Sequence, residues 1–497
     1  MTDQTLPGMI ARRRNASPTS PAVRYKKGGR WVDESWADFG QRIDRIAAGL
    51  LTATEMPERA AVSILGATTL DWIACDFAAL SVGLRTVPVY SSLLPEEVGY
   101  LHTDTQAVLA IVENKAGLEK VREMRGGFTF FDNDYGADDV KVRHIVVIDP
   151  TGVEPADDWE SLADLEARGA AKLEETAAER TRRFEAPERD DVATYTYTSG
   201  TTGPPKGVIQ THGNMLSMLE SADATGIFES TGIDAGGFFL FLPLAHSFGR
   251  LIELAGPFFG APIVVSSVPT LVDDLTATRP GFFPAAPRVY EKMMAKIESK
   301  VAGAPPIRQK LFAWALDTGR ATIPYRSRGQ AIPAGLALKY KVADKIVLSK
   351  LRAALGFDRA EILLSGSAPL SVPVHEFFLA MGTNLLEAYG LTETCPGLTA
   401  NLPGKYSDAE NNVSSSFLPA DAEYRKVLGI SEELHGGEQA PALPDNHAGA
   451  RALAAPPAVQ HRSAVQRDGR DIDRRRPHQH GGRGLVAARC QHHGVQR

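Results

Sequence analysis

The stretch "TYTSGTTGPPKGVIQTHGN" occupies residues 196–214. Just before and into it, "DVATYTYTSG" (191–200) alternates like a strand and runs directly into a loop. Gly200 and Gly203 allow backbone amides to converge on an anion. Thr198, Ser199, Thr201 and Thr202 add donors, and Lys206 adds a point charge. The pattern points to phosphate. It is not the Walker loop, G-x-x-x-x-G-K-[ST]: counted from Gly200, the second glycine falls on Pro205 and the hydroxyl position on Gly207, so that only Lys206 fits. A flexible glycine–threonine linker is the plain alternative. One lysine and two prolines set tightly against a β-run argue against it.

Outward from the loop, residues 20–404 read as α/β. "RAAVSILG" (59–66) is a short buried strand, and "TTLDWIACDFAALSVG" (68–83) has helical apolar spacing ending at a glycine. "RTVPVY", "AVLAIVEN" and "VRHIVVID" are further strands, with "PEEVGYLHTDTQ" a helix between the first two. Such alternation predicts stacked, mostly parallel sheets with helices on their faces. The longest uncharged run, 254–272, carries Gly256, Pro257, Pro262 and Pro269 and reads as buried strands and loops rather than a membrane span.

The 497 residues carry a formal net charge of −6 with 23% charged residues, an ordinary globular balance that gives no global sign of nucleic-acid binding. Three scattered cysteines, Cys75, Cys395 and Cys490, exclude a disulfide scaffold and a zinc site, and fit a reducing, cytoplasmic compartment. The N-terminal "MTDQTLPGMIARRRNASP" lacks the apolar segment of a secretory signal, and residues 1–19 read as a tail. Peripheral contact with the inner face of a membrane stays open.

Three more islands follow in order: "LPLAHSFGR" (242–250), "LLSGSAPL" (363–370) and "EAYGLTET" (387–394). Together with the loop they resemble the AMP-forming acyl-adenylate synthetases. "PAAPRVYEKM" (284–293) looks like the long-chain fatty acyl-CoA synthetases among them. The resemblance covers about residues 20–404 and implies the large N-terminal domain of that fold. It also implies a two-step ligase: a fatty acid carboxylate attacks ATP to give acyl-AMP and diphosphate, and the thiol of coenzyme A then displaces AMP. A carboxylate meeting a triphosphate is repelled, so cations and oriented donors must offset the charge. By the same resemblance the loop 198–206 holds the β- and γ-phosphates and Tyr389 lies against adenine, with Gly390 beside it in the motif. Thr392 reaches the α-phosphate, and Glu393 binds Mg2+. Gly366, Ser367 and Ala368 line the adenine and acyl-carbonyl site, and His246 lies beside the acyl carboxylate. Arg250 reads as local structure.

From residue 405 the pattern departs from the family. No aromatic residue follows Tyr424 and no lysine follows Lys426, while ten arginines do. The family's glycine-rich strands, aspartate motif and C-terminal lysine have no counterpart in 405–497. That segment is expected to be a disordered or out-of-frame tail, with the small C-terminal domain missing and ligase activity impaired. Three readings compete: an acyl-CoA ligase for long-chain fatty acids or another carboxylic acid, a non-catalytic binder of ATP or acyl-AMP, and an interaction protein using a basic tail. The tail interleaves no aromatic residues among its arginines, so nucleic acid is not an expected partner.

Overall fold

The computed structural model describes residues 3–54, 56–198, 203–226, 228 and 236–401; Ser199, Gly200, Thr201, Thr202 and the whole of 405–497 lie outside the described residues. Two large sheets dominate. One has eight strands in the order Thr399–Ala400, Leu385–Tyr389, Ile362–Ser365, Phe282–Ala285, Phe238–Leu240, Ile263–Val265, Pro21–Lys27 and Arg30–Ser35. The other has seven, in the order Lys206–Thr211, Val192–Thr198, Arg85–Val89, Ala61–Leu65, Leu109–Val112, His144–Val147 and Trp159–Ser161. All pairings are parallel except the two outermost of the first sheet and the hairpin Val192–Thr198/Lys206–Thr211 at the edge of the second. A small hairpin, Phe128–Phe130 with Asn133–Tyr135, stands apart from both.

Strand alternation divides the core. Val62 and Ile64 face one way, with Leu109, Ile111 and Val146, and join Phe238, Phe239, Ile263 and the helices between the sheets. Ala61, Leu65, Ala110, Val112, Ile145 and Val147 face the other way, onto helices Pro95–Thr105 and Lys115–Arg125. Helix Leu70–Ser81 lies in the shared core. The Thr69 side chain caps it by accepting from the Trp72 amide at 3.2 Å, and Gly83 beyond its end takes a φ of 67° that L side chains rarely adopt. Helix Trp36–Ala53 buries Phe39, Ile43, Ile46, Ala47 and Leu50 at helical spacing.

Two expectations change. Residues Leu6–Ala16, read as part of a tail, form a helix whose Leu6, Met9 and Ile10 are buried at i, i+3 and i+4; Arg13 donates to the carbonyls of Pro257 and Phe258. The run from residue 254, read as strands and loops, begins as the last part of helix Ser247–Phe259 with Pro257 inside it. Proline costs one backbone bond there, but the helix ends two residues later, and the Arg13 guanidinium takes up carbonyls that the helix end leaves open.

Candidate active site

The motif residues converge because each sits where a parallel strand ends. Thr198 closes strand Val192–Thr198, Gly366 and Ser367 follow Ile362–Ser365, and Tyr389 ends Leu385–Tyr389 just before Gly390, Thr392 and Glu393. His246 follows strand Phe238–Leu240 and caps helix Ser247–Phe259. Ligand crevices of open α/β sheets form at such carboxyl ends. Thr198, His246, Gly366, Ser367, Tyr389, Gly390, Thr392 and Glu393 all line one cavity of about 440 Å3. Ala368 is exposed and lies outside that lining. Lys206 and Gly203 lie outside it too, but Lys206 is exposed and is the direct cross-strand partner of Thr198, which holds it at the same rim. Among the described residues, a Cβ on Gly203 would meet nothing within 4 Å.

Local geometry is tightly constrained. A Cβ at Gly390 would lie 1.5 Å from the Pro396 carbonyl oxygen, so only glycine permits the 396–397 backbone to cross at this point. Ser367 holds a φ of 72°, uncommon for a side-chain-bearing residue. His246 Nδ1 accepts from the Phe248 amide at 3.1 Å. The neutral ring therefore carries its proton on Nε2, and burial holds its pKa below the usual histidine value. The Glu387 carboxyl is pushed up by burial and accepts from the Leu370 amide at 3.1 Å, tying "SGSAPL" to "EAYGLTET".

Sequence reasoning missed two groups. Gln210 is fully buried; its amide nitrogen donates to the Thr392 carbonyl at 2.9 Å while its oxygen accepts from the Thr196 hydroxyl at 3.0 Å, pinning the Thr392–Thr394 turn to the hairpin Val192–Thr198/Lys206–Thr211. The deep end of the cavity is apolar: Met218, Leu219 and Ala222 from helix His212–Ala224 face Leu251, Ile252 and Ala255 from helix Ser247–Phe259. Both triplets follow i, i+1, i+4, a periodicity that could have exposed them. Phe228, Phe238, Phe259 and Phe282 also line the cavity and pack as a ring cluster, with Phe228 and Phe259 centroids 4.2 Å apart and Phe238 and Phe282 5.1 Å apart.

A further group, whose arginine the sequence analysis named, lies behind the site. Arg250, wholly buried, pairs with Asp76 at 2.7 Å and Glu253 at 2.5 Å and lies 5.4 Å from the Trp72 ring centroid. Burial drives the Glu253 carboxyl well above its ordinary value, with the nearby Asp76 charge adding to the shift. Arg250 thus locks helix Leu70–Ser81 to the helix that His246 caps, in keeping with its reading as structure.

Among the described residues no cluster of three or more His, Cys, Asp or Glu could hold a metal ion. Mg2+ needs no such cluster, since it is commonly held by one or two carboxylates together with substrate phosphates and water, and Glu393 is the carboxylate that lines the cavity.

Strand-end loops thus surround a crevice that runs from polar to apolar. A model of the AMP-binding enzyme family matches residues 10–431, and the chain belongs to that family. The long-chain-fatty-acid–CoA ligase FadD15 of Mycobacterium tuberculosis is 32% identical over 377 residues, 74% of this chain and 57% of that protein. Long chain acyl-CoA synthetase 6, peroxisomal, of Arabidopsis thaliana is 29% identical over 380 residues, 75% of this chain and 50% of that protein. The chain thus spans about half the length of the relatives it matches. In fold it is similar to the inhibitor-bound N-terminal domain of FACL13 from Mycobacterium tuberculosis, with a TM-score of 0.54 and 18% identity over 81% of this chain and 79% of that one. It is also similar to a long-chain-fatty-acid–CoA ligase (FadD1) from Archaeoglobus fulgidus, with a TM-score of 0.53 and 16% identity over 82% and 68%.

Proposed function

We propose that this chain carries the nucleotide- and acyl-binding body of a long-chain fatty acid–CoA ligase. The observation that carries the reading is the continuity of one cavity from a polar mouth at Tyr389, Thr392 and Glu393 to an apolar end among Phe228, Ile252 and Phe259. A fatty carboxylate fits such a shape, head at the mouth and chain inside, and each buried methylene contributes about 0.8 kcal/mol. In this reading the adenine lies against Tyr389, with Gly366 and Ser367 beside it. The loop 198–206, with Lys206, takes the β- and γ-phosphates. Thr392 donates to the α-phosphate, and His246 offers its Nε2 proton to the acyl carboxylate. Glu393 would hold Mg2+, which when bound supplies positive charge against the phosphate oxygens. Attack of the carboxylate oxygen on the α-phosphorus breaks the bond to diphosphate and forms acyl-AMP; the coenzyme A thiol then takes the acyl group and AMP leaves. In this reading the large domain runs to about residue 404 and includes helix Leu6–Ala16, which packs into its core. A long-chain substrate partitions into bilayers, so work on the cytoplasmic side at a membrane surface belongs to the same reading.

ATP–diphosphate exchange across a fatty-acid series tests the first half-reaction without coenzyme A. Exchange that rises with chain length supports the reading; exchange indifferent to every carboxylate removes it. A second reading is nucleotide binding without turnover. ATP binding without formation of a hydroxamate-trappable acyl-adenylate would select it.

A further inference from the structure

Six of the twelve large apolar side chains exposed among the described residues fall between positions 307 and 346. Ile307, Leu311 and Trp314 follow i, i+4, i+7 on helix Pro306–Arg320 and are 73%, 37% and 38% exposed. Leu338 and Val342 recur at i, i+4 on helix Ala334–Ala343, and Ile346 follows in the wide turn Asp344–Leu348. The two helices pack against each other, while Ala315, Leu316 and Gly319 of the first turn inward. Elsewhere, exposed apolar residues such as Leu94, Phe131 and Val268 stand singly, which is ordinary for a protein surface.

Charge singles out the same segment. Residues 306–354 hold ten Lys and Arg against two Asp, in a chain whose overall formal charge is −6. Both aspartates are already engaged within the segment, Asp317 by Arg320 at 2.9 Å and Asp344 by Arg352 at 2.7 Å. Arg308, Lys310, Lys339, Lys341, Lys345 and Lys350 are exposed. No described helix is long and apolar enough to cross a membrane. Exposed apolar stripes flanked by lysines are the pattern of helices that lie in a bilayer interface. A second copy of this face would bring like charge against like charge, which opposes self-association.

We infer that helices Pro306–Arg320 and Ala334–Ala343 form a docking surface for an anionic lipid bilayer, with Ile307, Trp314 and Leu338 entering the interface and Lys339, Lys341 and Lys345 meeting the headgroups. The docking is independent of the reaction chemistry. Its service, taking an acyl substrate from the bilayer, rests on the ligase reading.

The test is co-sedimentation of the full chain with vesicles of phosphatidylcholine alone and of phosphatidylcholine with phosphatidylserine, in the absence of nucleotide. Binding should require phosphatidylserine and fall as salt is raised. The triple variant Lys339→Gln/Lys341→Gln/Lys345→Gln should bind on the order of a hundredfold more weakly. Ile307→Ser/Leu338→Ser should also bind more weakly, with ATP affinity unchanged. The change in tryptophan fluorescence on vesicle addition should be lost in Trp314→Phe. Equal binding to both vesicles would overturn the proposal. So would undiminished binding of the triple variant, which would assign any attraction to the arginine-rich tail. A dimer in light scattering that Ile307→Ser/Leu338→Ser abolishes would give the face to a second copy. Failure of the ligase reading would leave each of these vesicle results unchanged.

Discussion

The mouth of the cavity is made of backbone and short polar side chains at strand ends, whereas its deep end is made of helix faces and phenylalanine rings. At the mouth, one added carbon is decisive: Gly390 lies under the Pro396 carbonyl and Ser367 holds a positive φ. At the deep end, what counts is free volume between two helices, set by alanines at 222 and 255. A site that must aim donors at charged oxygens needs fixed positions. One that receives a hydrocarbon needs only space and apolarity.

If that contrast is right, Gly390→Ala should have the largest effect. The new methyl forces the 396–397 backbone or the Tyr389–Glu393 turn to move, and a displacement of about 1 Å at a reacting site costs on the order of a hundredfold. Nucleotide affinity by titration should fall by that order and the melting temperature should fall too, since backbone must shift; unchanged affinity would show that the crossing is not part of the nucleotide site. Lys206→Ala comes next. Loss of a charge-assisted contact costs roughly 1.5–3 kcal/mol, and ATP should suffer while AMP does not. Equal losses for both would mean that the hairpin as a whole had shifted.

Ala255→Phe probes the other end. The ring fills space between the helices, so ATP affinity should hold while the preferred acyl chain shortens by a few methylenes, each worth about 0.8 kcal/mol. A chain-length profile identical to the parent's would remove the deep end from acyl binding. The smallest effect concerns pH. In the folded state burial disfavours the charged form of His246, and protonating Nδ1 would also abolish its acceptance from the Phe248 amide. The unfolded chain, with the ordinary value of about 6.5, therefore takes up the proton first, and this contribution to stability is lost as pH falls below that value. His246→Asn keeps a capping acceptor that does not titrate. Its melting temperature should fall less steeply with acid, by an amount matching a cap of about 0.5–2 kcal/mol. His212, held down to about 4 by burial, and His102, down to about 3, would keep titrating in both proteins.

The two ends also differed in how legible they were. "EAYGLTET" and "SGSAPL" could be read directly, because a strand-end turn places successive residues at one spot and so concentrates its chemistry in a short string. For Met218, Ile252 and Phe282 periodicity marks at most a buried face, and it does not say that the three walls, each from a different element, meet. Gln210 escaped notice for a related reason: its partner, the Thr392 carbonyl, is 182 residues away and belongs to the backbone, which carries no sequence signal.

By itself the sequence determined the alternation of short buried strands with amphipathic helices and the order of the four motifs, because strand and helix periods and glycine placement are local properties of the chain. It misjudged residues 6–16 and 254–259, where helix formation depends on what lies opposite: Leu6, Met9 and Ile10 enter a core built by distant segments, and Arg13 covers the carbonyls at the end of helix Ser247–Phe259. Only the tertiary structure decided that Thr198, His246, Ser367 and Glu393 share one cavity, that the cavity continues into an apolar end, and that Arg250 meets Asp76. Those are relations between elements far apart in the chain, fixed when two sheets close on the helices between them and excluded water makes every charge and void answer to its neighbours in space.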